Sequence, residues 1–293
     1  MSNHKSGFVS IIGHPNVGKS TLMNALVGEK LSIMNPKAQT TRHRIMGIAN
    51  GDDYQIVFSD TPGILNPKYK LQEKMMDFVE SSFSDADIML FITEPEDIFD
   101  TESTFQKLRN LEIPVLIAIN KADLSQQEEI ESLINQWKER VPKAEIHIIS
   151  ALYKHNIEGL FTRLLEILPE SPPYYSKDDL SDRNVRFFVS ELIREQILRN
   201  YSKEIPYSVE VVIEAYQETP TLDRISALIY VERDSQKAII IGHKGEAIKR
   251  CGIYARKDIE KFIGKQIFLE MFVKVKKDWR NNDNMLKGFG YNG

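Results

Sequence analysis

Apolar residues in the first 168 positions occur in short runs that alternate with amphipathic stretches of helical period. The short runs, rich in Ile, Val and Phe, predict strands at residues 8–12, 45–49, 55–59, 87–93, 114–119 and 145–149. The amphipathic stretches predict helices at residues 19–26, 71–82, 102–111, 126–140 and 157–168. Because strands that alternate with helices form βαβ units, we expect an α/β fold whose mostly parallel sheet is covered on both faces. The turn signal Asn50-Gly51-Asp52 adds one antiparallel edge strand.

The pattern changes after this point. Three prolines and two serines within residues 169–176 predict a linker. Beyond it, the hydrophobic spacing predicts a long helix at 183–199 and two strands at 208–215 and 224–232. A basic helical stretch and a strand at 266–275 follow, before a short tail. We therefore expect a first domain at residues 1–170, a linker at 171–182 and a smaller α+β domain at 183–293.

Composition narrows the class of protein. Of 293 residues, 42% are hydrophobic and 27% charged, which is typical of a globular protein and not of a disordered chain. The single Cys251 excludes a disulfide scaffold and a CxxC zinc site, and it is expected to pack in a helix. Because the longest apolar runs have strand length and the N-terminus lacks an apolar signal segment, we expect a cytoplasmic protein.

Charge is distributed unevenly along the chain. Residues 237–287 contain 13 Lys and Arg but only 6 Asp and Glu, although the whole chain has a net charge of −4. A basic end on an acidic protein indicates a surface that binds a polyanion. A solvated, lysine-rich helix face would give the same count, so charge alone leaves both interpretations open.

Residues 13–20 match the phosphate-loop pattern GxxxxGK[ST] without a mismatch, between a predicted strand and a predicted helix. Glycine at both ends lets backbone N–H groups close around a phosphate, and the helix N-terminus adds a positive dipole. The Lys19 side chain would reach the β- and γ-phosphates, and the Ser20 hydroxyl is a hard oxygen ligand for Mg²⁺. The candidate phosphate-binding residues are Gly13, His14, Pro15, Asn16, Val17, Gly18, Lys19, Ser20 and Thr21.

A second motif follows the predicted strand at 55–59. Asp60 at the carboxyl end of that strand suits a water-mediated contact with Mg²⁺, and the Gly63 N–H can sense a γ-phosphate. After a phosphate loop at this distance, DTPG is a strong signal for a nucleotide site. The candidate residues are Asp60, Thr61, Pro62, Gly63 and Ile64.

A third motif sets the choice of base. The Asp123 carboxylate can accept hydrogen bonds from guanine N1–H and the 2-amino group, neither of which adenine offers. Asn120 and the stem of Lys121 would hold the loop and the plane of the base. Ser150 and Ala151, after the next strand, would offer a backbone N–H to guanine O6. The candidate base-binding residues are Asn120, Lys121, Ala122, Asp123, Ser150 and Ala151.

Four motifs follow one another along the chain: GxxxxGKS at residues 13–20, DTPG at 60–63, NKxD at 120–123 and SA at 150–151. This ordered set resembles the motifs of the translation-factor-related small GTPases. Residues 37–45, Lys-Ala-Gln-Thr-Thr-Arg-His-Arg-Ile, resemble switch I of the GTPase Era family. The resemblance implies a P-loop GTPase domain that binds GTP or GDP with Mg²⁺ and hydrolyses GTP.

The resemblance also implies roles for individual residues. It makes Ser20, Thr41 and Asp60 the Mg²⁺-binding residues, and Lys19, Thr41 and Gly63 the residues that act in hydrolysis. Thr40 stands beside Thr41, and the sequence leaves open which of the two binds the metal.

Two positions bear on the rate of hydrolysis. Ile64 stands where Ras-like proteins carry the glutamine that orients the attacking water, and an alkyl side chain cannot do this, so slow intrinsic turnover is expected. Asn16 matches an asparagine that helps to hold K⁺ in related GTPases. The alternative is an ordinary loop asparagine that tolerates a left-handed conformation.

The sequence Gly242-His243-Lys244-Gly245 is a GxxG loop, which lets the backbone approach a sugar-phosphate chain. Its apolar neighbours are expected to form a groove for single-stranded bases. It lies between an apolar segment and a basic helix, and this arrangement resembles a type II KH domain. Intrinsic propensity makes residues 238–241 a strand, whereas the resemblance makes 235–241 a helix, and the helix is the prediction that we adopt. The implied RNA-binding residues are Gly242, His243, Lys244, Gly245, Lys249, Arg250, Arg256 and Lys257.

The resemblance to the GTPase Era family covers nearly the whole chain. It implies a monomeric ribosome-assembly GTPase that binds 16S ribosomal RNA near its 3′ end, in the 30S subunit, through the KH domain. It also implies peripheral association with the inner face of the cell membrane.

Three alternatives stay open at this point. One is an RNA-binding assembly factor for which GTP is an ordering ligand, and another is a membrane-associated cell-cycle GTPase whose basic end binds anionic lipid. The third is a P-loop kinase, which would not need the NKxD motif at residues 120–123.

Overall fold

The computed structural model describes residues 4–37, 39–95 and 102–291. Its first half contains a six-stranded sheet in the order β2-β3-β1-β4-β5-β6, in which β2 at the edge is antiparallel to β3 and the other pairs are parallel. The predicted mostly parallel sheet, including the antiparallel edge strand, is confirmed. The strands are β1 (Lys5–Gly13), β2 (Ile45–Asn50), β3 (Tyr54–Asp60), β4 (Ile88–Thr93), β5 (Val115–Ile119) and β6 (Glu145–Ile148).

In the described part of the first half, five helices cover this sheet. They are α1 (Lys19–Val27), α2 (Lys70–Ser84), α3 (Glu102–Asn110), α4 (Gln127–Arg140) and α5 (Ile157–Ile167). Side chains that alternate along a strand point to opposite faces, so Ile11 and Ile12 of β1 belong to separate apolar clusters. The second of these clusters contains Trp137, whose side chain is buried.

The proline-rich segment predicted as a linker lies along the edge of the sheet. Gln55 Oε1 accepts hydrogen bonds from the backbone N–H groups of Tyr174 and Tyr175. The Leu180 carbonyl accepts from Ile48 N–H in β2, at 2.9 Å. These bonds satisfy a backbone N–H of the edge strand β2 and a side chain of the neighbouring β3, so this connection is fixed to the first half of the chain.

The second half is built on a three-stranded sheet in the order β7-β8-β9, with β7 antiparallel and β9 parallel to β8. Helices α6, α7 and α8 cover its inner face, where Cys251 is buried. The predicted α+β unit of type II KH topology is confirmed. The elements are α6 (Val185–Asn200), β7 (Glu210–Gln217), β8 (Asp223–Val231), α7 (Asp234–Ile241), α8 (Glu246–Ile263), β9 (Ile267–Val275) and α9 (Asp283–Gly288).

The expected short tail contains α9 and packs against the first half of the chain. Trp279 is fully buried, and its indole N–H donates to the Ser208 carbonyl. An apolar cluster joins this tail to α2, so one face of α2 is covered by the C-terminal segment. The buried members of that cluster are Leu71, Met75, Phe78, Trp279, Leu286 and Tyr291.

A buried charged contact also joins the two halves. Arg42 donates hydrogen bonds to the Val209 carbonyl at 2.6 Å, the Pro206 carbonyl at 3.1 Å and the Glu210 carboxylate at 3.1 Å. Burial raises the pKa of Glu210, and the positive charge of Arg42 opposes that rise. A buried cation needs such partners, so these contacts hold the segment that contains Arg42 against the second half.

Within the described part of the chain, no helix combines the length and the apolar character needed to cross a membrane.

Candidate functional site

The phosphate loop joins β1 to α1 through backbone that favours glycine. Gly18 has φ +102°, and a Cβ atom there would lie 2.2 Å from the Asn120 amide nitrogen. A Cβ atom on Gly13 would lie 2.2 Å from the Ile92 carbonyl oxygen. The loop therefore packs too closely on its neighbours for side chains at these positions. The Lys19 ammonium lies within this loop and donates to the carbonyls of Gly13 and His14.

Three oxygen-bearing side chains meet beside the start of α1. Ser20 Oγ donates to Asp60 Oδ2 at 2.7 Å and lies 2.8 Å from Thr41 Oγ1. Asp60 is fully buried, and its Oδ1 has no hydrogen-bond partner among the residues that the structure describes. Burial raises the pKa of Asp60, while hydrogen bonds from Ser20 and Thr41 oppose the rise. A buried carboxylate with one unpaired oxygen beside two hydroxyls fits a hard divalent cation such as Mg²⁺.

The structure distinguishes the two adjacent threonines. Thr41 Oγ1 lies 3.4 Å from Asp60 Oδ2 and so belongs to the oxygen cluster. The Thr40 hydroxyl instead donates to the carbonyls of Lys37 at 2.5 Å and Asn35 at 3.3 Å, away from that cluster. Ala38, between these residues in the predicted switch segment, lies outside the described residues.

The DTPG segment lies against the phosphate loop. Thr61 Oγ1 donates to the Ile11 carbonyl at 2.8 Å, and Ile64 N–H donates to the Gly13 carbonyl at 3.0 Å. A Cβ atom on Gly63 would lie 2.6 Å from Pro15 N, so only glycine lets these two segments approach this closely. The Ile64 side chain packs against an apolar cluster of the sheet, as expected for a side chain without a polar role.

Asn120 links the loops at the base-binding end. Its amide nitrogen donates to the Val17 carbonyl at 2.7 Å, and its amide oxygen accepts from Ala151 N–H at 2.9 Å. Ser150 N–H donates to the His155 carbonyl at 3.2 Å. The backbone N–H groups of Ser150 and Ala151, one of which was predicted to contact guanine O6, thus both have partners within the protein. A contact to O6 would require one of these N–H groups to be shared.

A cavity of about 460 Å³ lies between these motifs. Eleven of the predicted nucleotide-site residues line it, whereas Asp60, Thr61 and Pro62 are not part of its lining. Sequence reasoning missed the wall formed by residues 33–36 and by Leu152 and Tyr153, both of which are exposed. Leu152 and Tyr153 directly follow the SA motif, and two apolar residues at this place in the sequence could have indicated a surface against which a base packs. The predicted residues that line the cavity are Asn16, Gly18, Lys19, Ser20, Thr21, Thr41, Gly63, Asn120, Lys121, Asp123 and Ser150.

The GxxG loop connects α7 to α8. Gly242 has φ +73°, and a Cβ atom there would lie 2.5 Å from the Ala247 Cβ, so both backbone conformation and packing require glycine. Lys244 adopts a left-handed conformation with φ 49°, and both His243 and Lys244 are exposed at the tip of the loop. The loop therefore presents its backbone and two basic side chains to the outside.

A groove of about 380 Å³ runs between α8 and β9. Of the four predicted cations on α8, Lys249 and Arg256 line it, while Arg250 and Lys257 are exposed on α8 outside the lining. Sequence reasoning predicted an apolar groove but did not name its lining residues. Gly252 opens the groove, since a Cβ atom there would meet the Met271 side chain at 2.9 Å. The unnamed lining residues are Ile248, Gly252, Ile253, Ile267, Phe268, Leu269 and Met271.

Each half of the chain matches a known protein family. Residues 8–121 match the family model described as 50S ribosome-binding GTPase, and residues 204–280 match the model described as KH domain. The chain is 44% identical to the GTPase Era of Clostridium kluyveri over 290 residues, covering 98% of this chain and 99% of that protein. The chain belongs to the GTPase Era family. It is also 44% identical to the GTPase Era of Staphylococcus haemolyticus over 294 residues, with 99% and 98% covered.

Solved Era structures have the same fold over the whole length. One is a crystal structure of Era in complex with MgGDPNP and nucleotides 1506–1542 of 16S ribosomal RNA, and another is Aquifex aeolicus Era bound to GDP and AlF4⁻. Each is 37% identical to this chain, has a TM-score of 0.94 and covers 98% of this chain and 99% of its own. As an Era family member, the chain is a GTPase that carries a KH domain, which confirms the family and the activity expected from its motifs.

Proposed function

We propose that this chain is a GTP-hydrolysing switch that binds 16S ribosomal RNA near its 3′ end through its KH groove and acts in assembly of the small ribosomal subunit. The observation that carries the proposal is the presence, in one chain, of a guanine-nucleotide cavity and a GxxG groove. Its similarity over 98% of its length to an Era bound to MgGDPNP and to nucleotides 1506–1542 of that RNA supports the choice of ligands.

The nucleotide site has a distinct role for each group of residues. The backbone of the phosphate loop and the Lys19 ammonium bind the phosphates, and Ser20, Thr41 and Asp60 would hold Mg²⁺. When bound, the ion neutralises charge on the β- and γ-phosphates. Asp123, exposed at the cavity wall, accepts the hydrogen bonds of the guanine edge.

Hydrolysis in this site depends on placing a water molecule without a glutamine. The backbone at Gly63 lies next to the phosphate loop, so its N–H is suited to contact the γ-phosphate. Ile64 packs against the sheet and offers no hydrogen bond to water. Placement of the water therefore falls to backbone groups, to K⁺ held by Asn16, or to the bound RNA, and intrinsic turnover is slow.

Replacing K⁺ by Na⁺ is expected to slow GTP turnover because the Asn16 side chain at the cavity wall would hold the larger ion. Asn16→Ala should turn over GTP at the slower rate in both salts. The measurement is single-turnover hydrolysis in matched KCl and NaCl. Equal rates of the parent in both salts would remove the cation from the mechanism and leave Asn16 as a left-handed loop residue with φ 68°.

The RNA groove combines charge with an apolar floor. His243, Lys244, Lys249 and Arg256 provide donors for the phosphate chain, and the apolar lining between α8 and β9 accepts unstacked bases. Arg250 and Lys257 lie outside the groove lining and would contribute long-range attraction to the same polyanion.

We propose domain limits at residues 1–170 and 183–293, joined by residues 171–182. The end of α5 at Ile167 and the start of α6 at Val185 support these limits. The chain is proposed to act as a monomer, with peripheral membrane contact through its basic end as the alternative use of that surface.

Crosslinking of the full chain to ribosomal RNA, followed by sequencing of the bound segment, tests the proposed function. Reads should concentrate in a single-stranded segment near the 3′ end of 16S RNA and should depend on Lys244. Reads spread over the ribosomal RNA without such a peak would contradict the proposal. Binding to anionic vesicles in preference to RNA would favour the membrane alternative.

Single-turnover hydrolysis with and without that RNA separates a switch from a factor that uses GTP only as an ordering ligand. The unreactive Ile64 side chain is the observation that favours this second candidate. We expect RNA to change the rate of hydrolysis. The same rate in both conditions would favour the ordering role.

A further inference from the structure

The predicted switch I segment is held by α6 of the second half. The Arg194 guanidinium donates to the Thr40 carbonyl, and Lys37 donates to the carbonyls of Leu198 and Tyr201, the second at 2.5 Å. The Thr40 hydroxyl donates back to the Lys37 carbonyl, so Lys37 and Thr40 are joined directly. Thr40 precedes Thr41 of the oxygen cluster by one residue.

Lys37 lies at the C-terminus of α6. Helix α6 ends at Asn200, and its last carbonyls have no partner within the helix. A cation at this end is favoured both by these carbonyls and by the helix dipole. The position of Lys37 therefore affects the last turn of α6, including Tyr201 at its C-cap.

Tyr201 also contacts the helix that leads into the GxxG loop. Its hydroxyl donates to the Ile240 carbonyl at 2.7 Å, and this bond is buried. Burial raises the pKa of the Tyr201 hydroxyl, which therefore keeps the proton that it donates. Helix α7 ends at Ile241, directly before Gly242, so the Ile240 carbonyl is one of its terminal acceptors.

We propose that Tyr201 is the positioning residue that couples switch I to the GxxG loop. Its backbone carbonyl accepts from Lys37 of switch I, and its side chain satisfies the last turn of α7. When GTP and the metal hold Thr41 in the oxygen cluster, Lys37 is held at the end of α6, and Tyr201 fixes the start of the loop that contacts RNA. This inference rests on the proposed function, since it requires both ligands.

The coupling has a thermodynamic consequence. If GTP favours the arrangement in which Tyr201 holds the loop, RNA binds more tightly to the GTP state than to the GDP state. RNA must then raise the affinity for GTP, relative to that for GDP, by the same factor. Loss of either contact of Tyr201 should reduce both effects together. A purely structural role would lower RNA affinity equally with GTP and with GDP.

The test compares RNA affinity in two nucleotide states for Lys37→Met, Tyr201→Phe and the double variant. A fluorescent single-stranded RNA from the 3′ end of 16S RNA is titrated with the full chain, loaded with a non-hydrolysable GTP analogue or with GDP. The parent should bind RNA about 5- to 150-fold more tightly with the analogue, the usual range for coupled sites. Each single variant should reduce that ratio to about threefold or less, and the double variant should reduce it no further.

Lys30→Met is the matched control. Lys30 is also a lysine of the first half that contacts α6, but it pairs with the Glu195 carboxylate and not with the end of the helix. It should keep the ratio of the parent. For each protein, the analogue and GDP are also titrated with and without RNA. The increase in analogue affinity caused by RNA, divided by that in GDP affinity, should equal the ratio of RNA affinities in the two states.

The possible outcomes separate the two proposals. Unchanged ratios in Lys37→Met and Tyr201→Phe would overturn the coupling role of Tyr201, as would equal loss of RNA affinity in both nucleotide states. A parent that binds RNA equally in both states would overturn the coupling and leave the RNA-binding function intact. A parent that binds this RNA in neither state would overturn the proposed function itself.

Discussion

Asp123→Asn is expected to lose GTP and to gain affinity for xanthosine triphosphate. In the proposed site the Asp123 carboxylate would accept two hydrogen bonds from the guanine edge, whereas an amide would place a donor against one of them. Sites built to hydrogen-bond a substrate group discriminate by about 10⁴ to 10⁵, so a loss of this order in GTP affinity is the upper range expected. Because Asp123 is exposed at the cavity wall, the variant should fold as the parent does.

Nucleotide titration of the variant with GTP and xanthosine triphosphate measures this exchange. Asp52→Asn is the matched control, since Asp52 is an exposed aspartate in the turn between β2 and β3. It should bind GTP as the parent does. Parental affinity of Asp123→Asn for GTP would mean that the base is read elsewhere.

Lys19→Ala is expected to lower single-turnover GTP hydrolysis by about 10² to 10³, the usual cost of removing one donor that stabilises charge in the transition state. The Lys19 ammonium is buried in the phosphate loop and donates there to the carbonyls of Gly13 and His14. Thr41→Ala should also lose activity because it removes one of the three oxygen-bearing side chains of the cluster.

Ile64→Ala is the control for these variants. It should keep most of the intrinsic activity, because the Ile64 side chain packs on the sheet and has no polar group to offer. Thermal unfolding of each variant separates loss of chemistry from loss of fold. Hydrolysis by Lys19→Ala at the parental rate, or loss of activity in a folded Ile64→Ala, would contradict the proposed roles.

Local signals were sufficient to predict the first half of the chain. Strands β4 and β5 are buried along their whole length, so their apolar runs were readable without knowledge of their neighbours. The glycines of the phosphate loop are required by close backbone contacts, and these leave a fixed spacing in the sequence. Most of the nucleotide site could be predicted for this reason.

The second half shows the limit of local propensity. Residues 238–241 are rich in isoleucine and favour a strand, yet they end α7 because Ile240 is buried against α6 and α8. At these residues tertiary packing outweighs the intrinsic preference for a strand. Only the resemblance to KH domains predicted the helix. Helix α9 has six residues, too few for a periodic pattern to be read.

Contacts between the two halves could not be predicted from the sequence. Arg42 and Tyr201 look like surface residues in a linear pattern, but each bonds to a residue of the other half, 167 and 164 positions away. The lining of the RNA groove was missed for a similar reason, since α8 and β9 form it jointly. The resemblance to a KH domain placed Arg250 and Lys257 in the same set as Lys249 and Arg256, although only the second pair lines the groove.

The most direct test of the central claim is RNA binding by a variant that combines His243→Asp and Lys244→Asp. Both residues are exposed at the tip of the GxxG loop, where two negative charges would repel a phosphate chain. The parent should bind a single-stranded RNA from the 3′ end of 16S RNA with an affinity that falls steeply with salt. The variant should lose this binding in fluorescence anisotropy. Its GTP affinity without RNA should stay within about twofold of the parent, because neither His243 nor Lys244 lines the nucleotide cavity. Parental RNA binding by the double variant would contradict the claim that this loop and groove form the RNA site.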